Sequence, residues 1–314
     1  MLSAIHTEAA LLAELTPVAE GLVERHYDNC KPWYPHEYVP YSLGEDFTRG
    51  ETLSDEQLLP LPDAVRSALF VNLLTEDNLP YYFYTIDRMF GSNGVWREWS
   101  HRWTAEEARH SIALRDFVTV TRVLNPTELE DGRMAQMSKG EVPEPPTAVD
   151  GFVYVALQEL ATRIAHRNTG KALQEHLGDH PVAKAGYDLL GRVAADENFH
   201  FMFYRDLAGT ALKIAPNMVL PAIERQVREF DMPGTGIPGF KAHAEKIQEF
   251  GIYGLNEQAN GVFAHVIERA WQLESLDEGL SDEAKIARDS VLARIGRQKK
   301  AAARLAARVA TSSN

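Results

Sequence analysis

Apolar positions recur along this chain at intervals of three and four residues almost from its start. Leu11, Leu12, Leu15, Val18, Ala19, Leu22 and Val23 fall on one face of a helix over about 5–27, an amphipathic element with one stripe to bury. Between Cys30 and Phe47 that period is lost. Pro32, Pro35, Pro40 and Gly44 break helix there while Trp33, Tyr34, Tyr38 and Tyr41 supply aromatic anchors, which predicts an irregular segment packed on the body. Asp63, after Pro62, is a candidate N-cap for a helix running to about Phe90 and stopped by Gly91 and Gly94. The next starts at Trp96 or at Thr104 and runs to Leu124, before Asn125-Pro126. A shorter helix is expected near 126–139, then a loop with Pro143, Pro145 and Pro146. Asp150 opens a helix to about His176, and His180-Pro181 another to about Ile214. Pro216 and Pro221 punctuate the entry to a further one. Met232 to Gly239 reads as loop, and two or three more helices fill 240–308. No Val/Ile-rich alternating run bounded by turns occurs, so the expected class is all-α.

Charge and composition remove several kinds of function. The formal net charge is −13, and no broad cationic stripe marks a nucleic-acid binder. Cys30 is the one cysteine, which excludes a disulfide framework and fits a reducing compartment. No basic n-region precedes an apolar stretch in Met1 to Glu8, and no apolar run reaches the ~20 residues of a membrane span. A cytoplasmic protein is expected. The charge is uneven: from Lys285 onward eight Lys/Arg face Asp289 alone. That tail reads as a solvated amphipathic helix, or as a docking arm for an acidic partner.

Candidate chemistry sits in two places. Trp103-Thr-Ala-Glu106-Glu107-Ala-Arg-His110 and Ala194-Ala-Asp196-Glu197-Asn-Phe-His200 each hold a Glu and a His three apart, which puts both side chains on one helix face. Each is preceded by an isolated Glu in an apolar helix, Glu76 and Glu159. The order Glu, Glu-x-x-His, Glu, Glu-x-x-His is the ligand set of a di-metal carboxylate site in a four-helix bundle. The spacings 76 to 107 and 159 to 197 are similar, 31 and 38 residues, as two helix hairpins related by a pseudo-twofold would give. Four carboxylates with two neutral imidazoles balance two divalent ions, and oxygen plus imidazole donors suit iron or manganese. Asp196 and Glu106, each one residue before a candidate ligand, can reach across the bundle to the free ring nitrogen of a ligand histidine. The fold expected is a ferritin-like four-helix bundle with additional helices, one domain over 1–314, its core at about 5–250 and its basic helical tail at about 281–314.

Other readings of these residues stand beside that one. With 28 Glu and 11 His, about one Glu-x-x-His is expected by chance. A third match, Glu98–His101, has no isolated Glu upstream and is assigned to helix surface. Thr104 to Glu107 could be a capping box if the helix starts at Thr104. Glu159 and Arg163 could form a surface pair one turn apart. Gly234-x-Gly236-x-x-Gly239 matches a dinucleotide fingerprint only as a string, since it contains Pro238 and lacks a βαβ context. His176-x-x-x-His180 straddles Gly178 and carries no site.

Taken together the motifs resemble the soluble acyl-carrier-protein desaturases, of the plant stearoyl type and above all their actinobacterial relatives. The resemblance rests on Lys31-Pro-Trp33, Pro35-His-Glu-Tyr-Val-Pro40, Thr75-Glu76-Asp-Asn-Leu-Pro80, Trp103 to His110, Gln158-Glu159-Leu-Ala-Thr162, His166-Arg-Asn-Thr169 and Ala194 to His200. It is good from about residue 10 to 240 and weak beyond. It implies a homodimeric helical bundle with a buried di-iron centre, two Fe ions per subunit, beside a narrow apolar channel for an acyl chain borne by acyl carrier protein. It implies electrons from a ferredoxin-type donor and O2 as oxidant, with Glu76, Glu107, His110, Glu159, Glu197 and His200 as iron ligands. Trp33, Asp196 and His110 would form the electron route, and Thr162 would lie near the oxygen-binding side. Two departures stand out. Phe199 occupies the place of an arginine in the plant pattern, so one cation beside the ligands is expected to be missing. The helix after Glu76 (Tyr81, Tyr82, Phe83, Tyr84, Asp87, Arg88) looks unlike a smooth channel wall. A di-iron hydroxylase or oxidase acting on another lipid, and a desaturase-like protein that binds metal or acyl carrier protein without turnover, are the competing functions.

Overall fold

The computed structural model describes residues 5, 7–232, 234 and 236–312. Among them it has α1 (Glu8–Asn29), α2 (Asp63–Asp77), α3 (Leu79–Phe90), α4 (Gly94–Val120), α5 (Pro126–Lys139), α6 (Ala148–Leu177), α7 (Pro181–Ile214), α8 (Pro216–Glu229), α9 (Phe240–Glu249), a π-helix (Glu257–Ala270) and α10 (Asp282–Ser312). No strand forms among the described residues, and none of their helices is long and apolar enough to cross a membrane. Pro233 and Thr235 of the predicted 232–239 loop, and residues 313–314 of the predicted tail, lie outside the described residues.

Helices α2, α4, α6 and α7 pack together as a four-helix core. Helix α1 lies on α4 and α7, α3 on α4 and α6, and α8, α10 and the π-helix close the far side. The apolar side chains divide along the bundle axis. At one end Leu15 and Leu22 of α1, Trp99 and Trp103 of α4, Phe152 and Leu157 of α6 and Phe203 and Leu207 of α7 form one cluster. At the other, Leu69 and Leu73 of α2, Leu114 and Phe117 of α4, Leu173 of α6 and Leu189 and Leu190 of α7 form a second. Each long helix therefore carries a short polar interval at its middle, Glu106 to His110, Glu159 to His166 and Asp196 to His200, bracketed by apolar turns. Removing a leucine from either cluster costs about 2–5 kcal/mol, so the bundle itself fixes where the polar belt lies.

Several boundaries differ from expectation. The helix foreseen from Asp63 to Phe90 is two helices, broken at Asn78. Pro80 has no N–H for the Glu76 carbonyl four residues back, so the α-helical ladder stops there. Asn78 is fully buried, and its Nδ2 donates to Glu141 O at 3.2 Å. Asp63 is the first helical residue rather than a cap, and no side chain caps α2. Asp150 does not open α6 either. Thr147 does, its hydroxyl accepting from the Asp150 N–H at 3.1 Å, while the buried Asp150 carboxylate accepts from Arg225 at 2.8 Å and Gln226 at 2.8 Å. Helix α4 begins at Gly94, so Thr104 lies in mid-helix, its hydroxyl donating to Ser100 O at 2.7 Å, and the capping-box reading of Glu107 lapses. Buried positions continue past residue 250, through Val262, Phe263, Val266 and Ile267 of the π-helix to Val291 and Ile295 of α10. The basic tail is an amphipathic helix with its apolar stripe on α8 and the π-helix.

Candidate metal centre

Six side chains from four helices meet in the polar belt: Glu76 from the last turn of α2, Glu107 and His110 from α4, Glu159 from α6, and Glu197 and His200 from α7. All are buried. They form two groups of four, each with its donor atoms within 4.8 Å of one another: Glu76, Glu107, His110 and Glu197 in one, Glu107, Glu159, Glu197 and His200 in the other. Glu107 and Glu197 belong to both. His110 Nδ1 stands 3.3 Å from Glu107 Oε2, 3.3 Å from Glu197 Oε1 and 3.8 Å from Glu76 Oε2. His200 Nδ1 stands 2.7 Å from Glu107 Oε1 and 3.6 Å from Glu159 Oε2.

These approaches are close but misaligned. Glu107 Oε1, Glu159 Oε2, His110 Nδ1 and His200 Nδ1 are buried without a hydrogen-bond partner. Leaving such groups unpaired costs about 1–3 kcal/mol each, and among the described residues no Lys or Arg ion-pairs with Glu107, Glu159 or Glu197. Lone pairs of two carboxylates and two imidazoles converge on the same two volumes, which is what a pair of cations requires. The donor set fits two divalent metal ions.

The electrostatics agree. Burial, then the adjacent Glu197, push Glu107 up to about 7, and the same two causes carry Glu159 well above the carboxylate range. Burial acts likewise on Glu76 and Glu197, but contacts with His110, and with His166 beside Glu76, outweigh it and hold both low. Burial opposes charge on both rings, yet the surrounding carboxylates prevail: Glu107 and Asp196 raise His110, while Glu106, Glu107 and Glu159 raise His200. In the metal-free state protons are thus shared among rings and carboxylates, and metal binding displaces them.

Beyond these six, two carboxylates are fully engaged. Asp196 Oδ2 accepts from Trp33 Nε1 at 2.6 Å, lies 3.3 Å from His110 Nε2 and 3.4 Å from Arg109 Nη2, and its other oxygen accepts from Arg192. Glu106 Oε2 lies 2.9 Å from His200 Nε2 and 3.0 Å from His26 Nε2, while Oε1 meets Arg102 at 2.5 Å. Burial alone would raise both acids. The imidazoles and their other partners hold them low. The His110 and His200 rings are thereby each held at Nε2, with Nδ1 left facing the volume on which the carboxylates converge. Thr162 donates to Glu197 Oε2 at 2.6 Å.

Glu76 and Glu107 also border a cavity of about 40 Å³, whose walls include Leu79, Tyr82, Ile86, Met89, Trp103 and Tyr154. That is room for no more than a few waters. The channel-facing stripe of α3 is Leu79, Tyr82, Ile86 and Met89, whereas Tyr84 and Arg88 are exposed and Asp87 is not among the wall residues. Of the residues read as unlike a smooth wall, Tyr82 lines the cavity, while Tyr84, Asp87 and Arg88 do not, because they lie on the other face of the helix. Glu98 and His101 are exposed and outside the centre.

Four participants escaped the sequence reading. His166 Nε2 lies 2.9 Å from Glu76 Oε1, Trp103 Nε1 donates to Glu159 Oε1 at 3.0 Å, and Cys30 Sγ lies 3.5 Å from Glu106 Oε1. The fourth is His26. It and Cys30 continue the buried stripe Leu15, Ala19, Leu22 of α1, and His166 falls seven residues after Glu159 on the same face, so the helical period contained the signal. Phe199 instead packs its ring edge-on against His26, centroids 6.1 Å apart, and Arg102 on α4 is the cation that meets Glu106.

Comparison with known proteins follows the same line. A model of the fatty acid desaturase family matches residues 7–314. The chain is 37% identical over 294 residues to DesA1 of Mycobacterium tuberculosis, named as an acyl-[acyl-carrier-protein] desaturase, covering 91% of this chain and 84% of that one. It is 29% identical over 313 residues to the chloroplastic stearoyl-[acyl-carrier-protein] 9-desaturase 1 of Oryza sativa, covering 94% of this chain and 77% of the rice protein. The X-ray structure of the M. tuberculosis acyl-ACP desaturase DesA2 superposes with a TM-score of 0.68 at 26% identity, covering 88% of this chain and 99% of that one.

Proposed function

The chain belongs to the fatty acid desaturase family, and on that premise we propose that it is an acyl-[acyl-carrier-protein] desaturase whose metals are held by Glu76, Glu107, His110, Glu159, Glu197 and His200. The observation that carries this reading is the pair of four-donor groups sharing Glu107 and Glu197 at the edge of an apolar cavity. The metals are two iron ions per subunit, with manganese the alternative its donors would accept. When bound, the metal pair supplies the redox chemistry with O2 that takes two hydrogens from adjacent methylenes. Electrons come from a ferredoxin-type donor. The substrate is a fatty acyl chain on acyl carrier protein, and the enzyme works as a cytoplasmic homodimer, each subunit one ferritin-like domain.

The chain's own residues do the rest. Leu79, Tyr82, Ile86, Met89 and Tyr154 line an apolar slot that binds methylenes and excludes water, and Glu76 and Glu107 border both slot and metal volume. A methylene in the slot therefore lies against the reactive side of the centre, so positioning supplies much of the selectivity. Admitting a long acyl chain requires the wall, including Pro143 and Pro145, to yield. Asp196 and Glu106 orient the ligand rings, and the buried Trp33, bonded to Asp196 and stacked 6.3 Å from His110, forms the last aromatic step of the electron route to it.

The test is product analysis. Iron-loaded protein, ferredoxin, reductant, O2 and acyl carriers of several lengths should yield a monounsaturated acid. A hydroxylated product would assign the bundle to a hydroxylase, and no product despite two irons per chain would leave a metal- or carrier-binding protein.

A further inference from the structure

The centre is built alike on both sides as far as Glu106 and Asp196, and differently beyond. On the His110 side the outer donor to Asp196 is an indole from the loop before α2, Trp33. On the His200 side that place is taken by an imidazole from α1. Resting on the two-metal reading above, we propose that His26 is a positioning residue for His200: through Glu106 it fixes the ring orientation and tautomer with which His200 meets its metal.

His26 occupies a position of α1 that the surrounding stripe would fill with an apolar residue, and it is 4% exposed. A polar ring there is costly unless paired. Its Nε2 reaches both oxygens of Glu106, at 3.2 Å and 3.0 Å. A carboxylate accepts only, so the Nε2 of His26 is the donor, and so is the Nε2 of His200 on the same Oε2 at 2.9 Å. With Nε2 held by Glu106, His200 turns Nδ1, the atom without a hydrogen-bond partner beside Glu107 and Glu159, toward the metal volume, where metal displaces any proton it carries. The two rings lie nearly parallel, centroids 6.0 Å apart at 22°. His26 is locked in turn by edge contacts with Trp99 at 5.1 Å and Phe199 at 6.1 Å. Arg102 cannot do this alone. It grips Oε1 from one turn earlier on the same helix and is 28% exposed, leaving Oε2 with no fixed partner but the ring it must hold.

The effect should fall on one metal. His200 belongs only to the group with Glu107, Glu159 and Glu197, and His110 keeps its own support from Asp196, Trp33, Arg109 and Arg192. Loss of such an outer partner typically weakens metal affinity about 10–100-fold. The experiment is anaerobic ferrous titration with iron counted per chain, on wild type, His26→Leu, which removes the donor, and His26→Gln, which restores one. The expected result is two irons in wild type, one tight and one weakened about 10–100-fold in His26→Leu, and return to within a few-fold in His26→Gln. If the leucine variant is insoluble, His26→Asn, whose amide is too short to reach Glu106, replaces it under the same criteria. Wild-type affinity for both irons in His26→Leu overturns the inference, as does equal weakening of both irons or equal weakening by Leu and Gln. Failure of the wild type itself to bind two irons would instead strike the two-metal reading.

Discussion

The six converging side chains of this centre and the acids just outside them are of the same kinds, yet they differ in how fully their oxygens are hydrogen-bonded. Glu106 and Asp196 each accept from at least three groups and are held low. One residue further along each helix, Glu107 and Glu197 share their space with other acids, and Glu107 keeps an unpaired oxygen. The same side chain, rotated by one helical position of about 100°, passes from a closed hydrogen-bond network to an open coordination volume. A saturated acid holds a neighbour in place, and an unsaturated buried one needs a cation.

Experiments can break that contrast. Substituting a shared carboxylate, Glu107→Ala or Glu197→Ala, should remove both metals and all desaturation. Glu76→Ala or Glu159→Ala should leave one ion per chain, read by elemental analysis after anaerobic loading. Equal losses from all four would mean that the two groups are not distinct. Glu106→Gln and Asp196→Asn should keep both metals but weaken the one on their own side by about 10–100-fold, seen as a split in the titration.

Titration separates the two sets of acids as well. Glu107 is raised in the folded protein to about 7. A carboxylate raised by folding favours the folded state most below its unfolded value, and that contribution is lost as pH climbs through about 7. Metal-free protein should therefore lose stability, on the order of 3 kcal/mol from this group, between about pH 4.5 and 8. The raised His110 and His200 act in the same direction. Metal-loaded protein should show the reverse slope, because metal competes with those protons. Thermal unfolding across that range with and without iron checks both slopes, and parallel curves would sink the account. The smallest effect is expected at the third Glu-x-x-His: Glu98→Ala with His101→Ala should change stability within about 0.5 kcal/mol each and leave iron content untouched.

What could be read in advance follows a simple boundary. Glu107 with His110, and Glu197 with His200, are legible because a spacing of three on a helix is itself a distance. Glu106 and Asp196 follow by adjacency. Glu159 stands out as a lone acid in an apolar turn, and Glu76, with Asp77 beside it, by its place after the apolar run Leu73-Leu74. The break at Asn78 was also local, written in Pro80, and the caps missed at Asp63 and Asp150 lie one and three residues earlier, at Pro62 and Thr147. Even the family is carried by short motifs, since it depends on these same local strings.

Which distant residues complete the centre is another matter. His26 meets Glu106 across 80 positions, Trp33 meets Asp196 across 163 and His166 meets Glu76 across 90. No period in the chain encodes such pairs, because each depends on how one helix is rotated and seated against another. The sequence states which side chains lie on one helical face. Packing of α1 and the Trp33 loop on the bundle decides which of those faces meet, and so which acids are saturated and which are left open for metal.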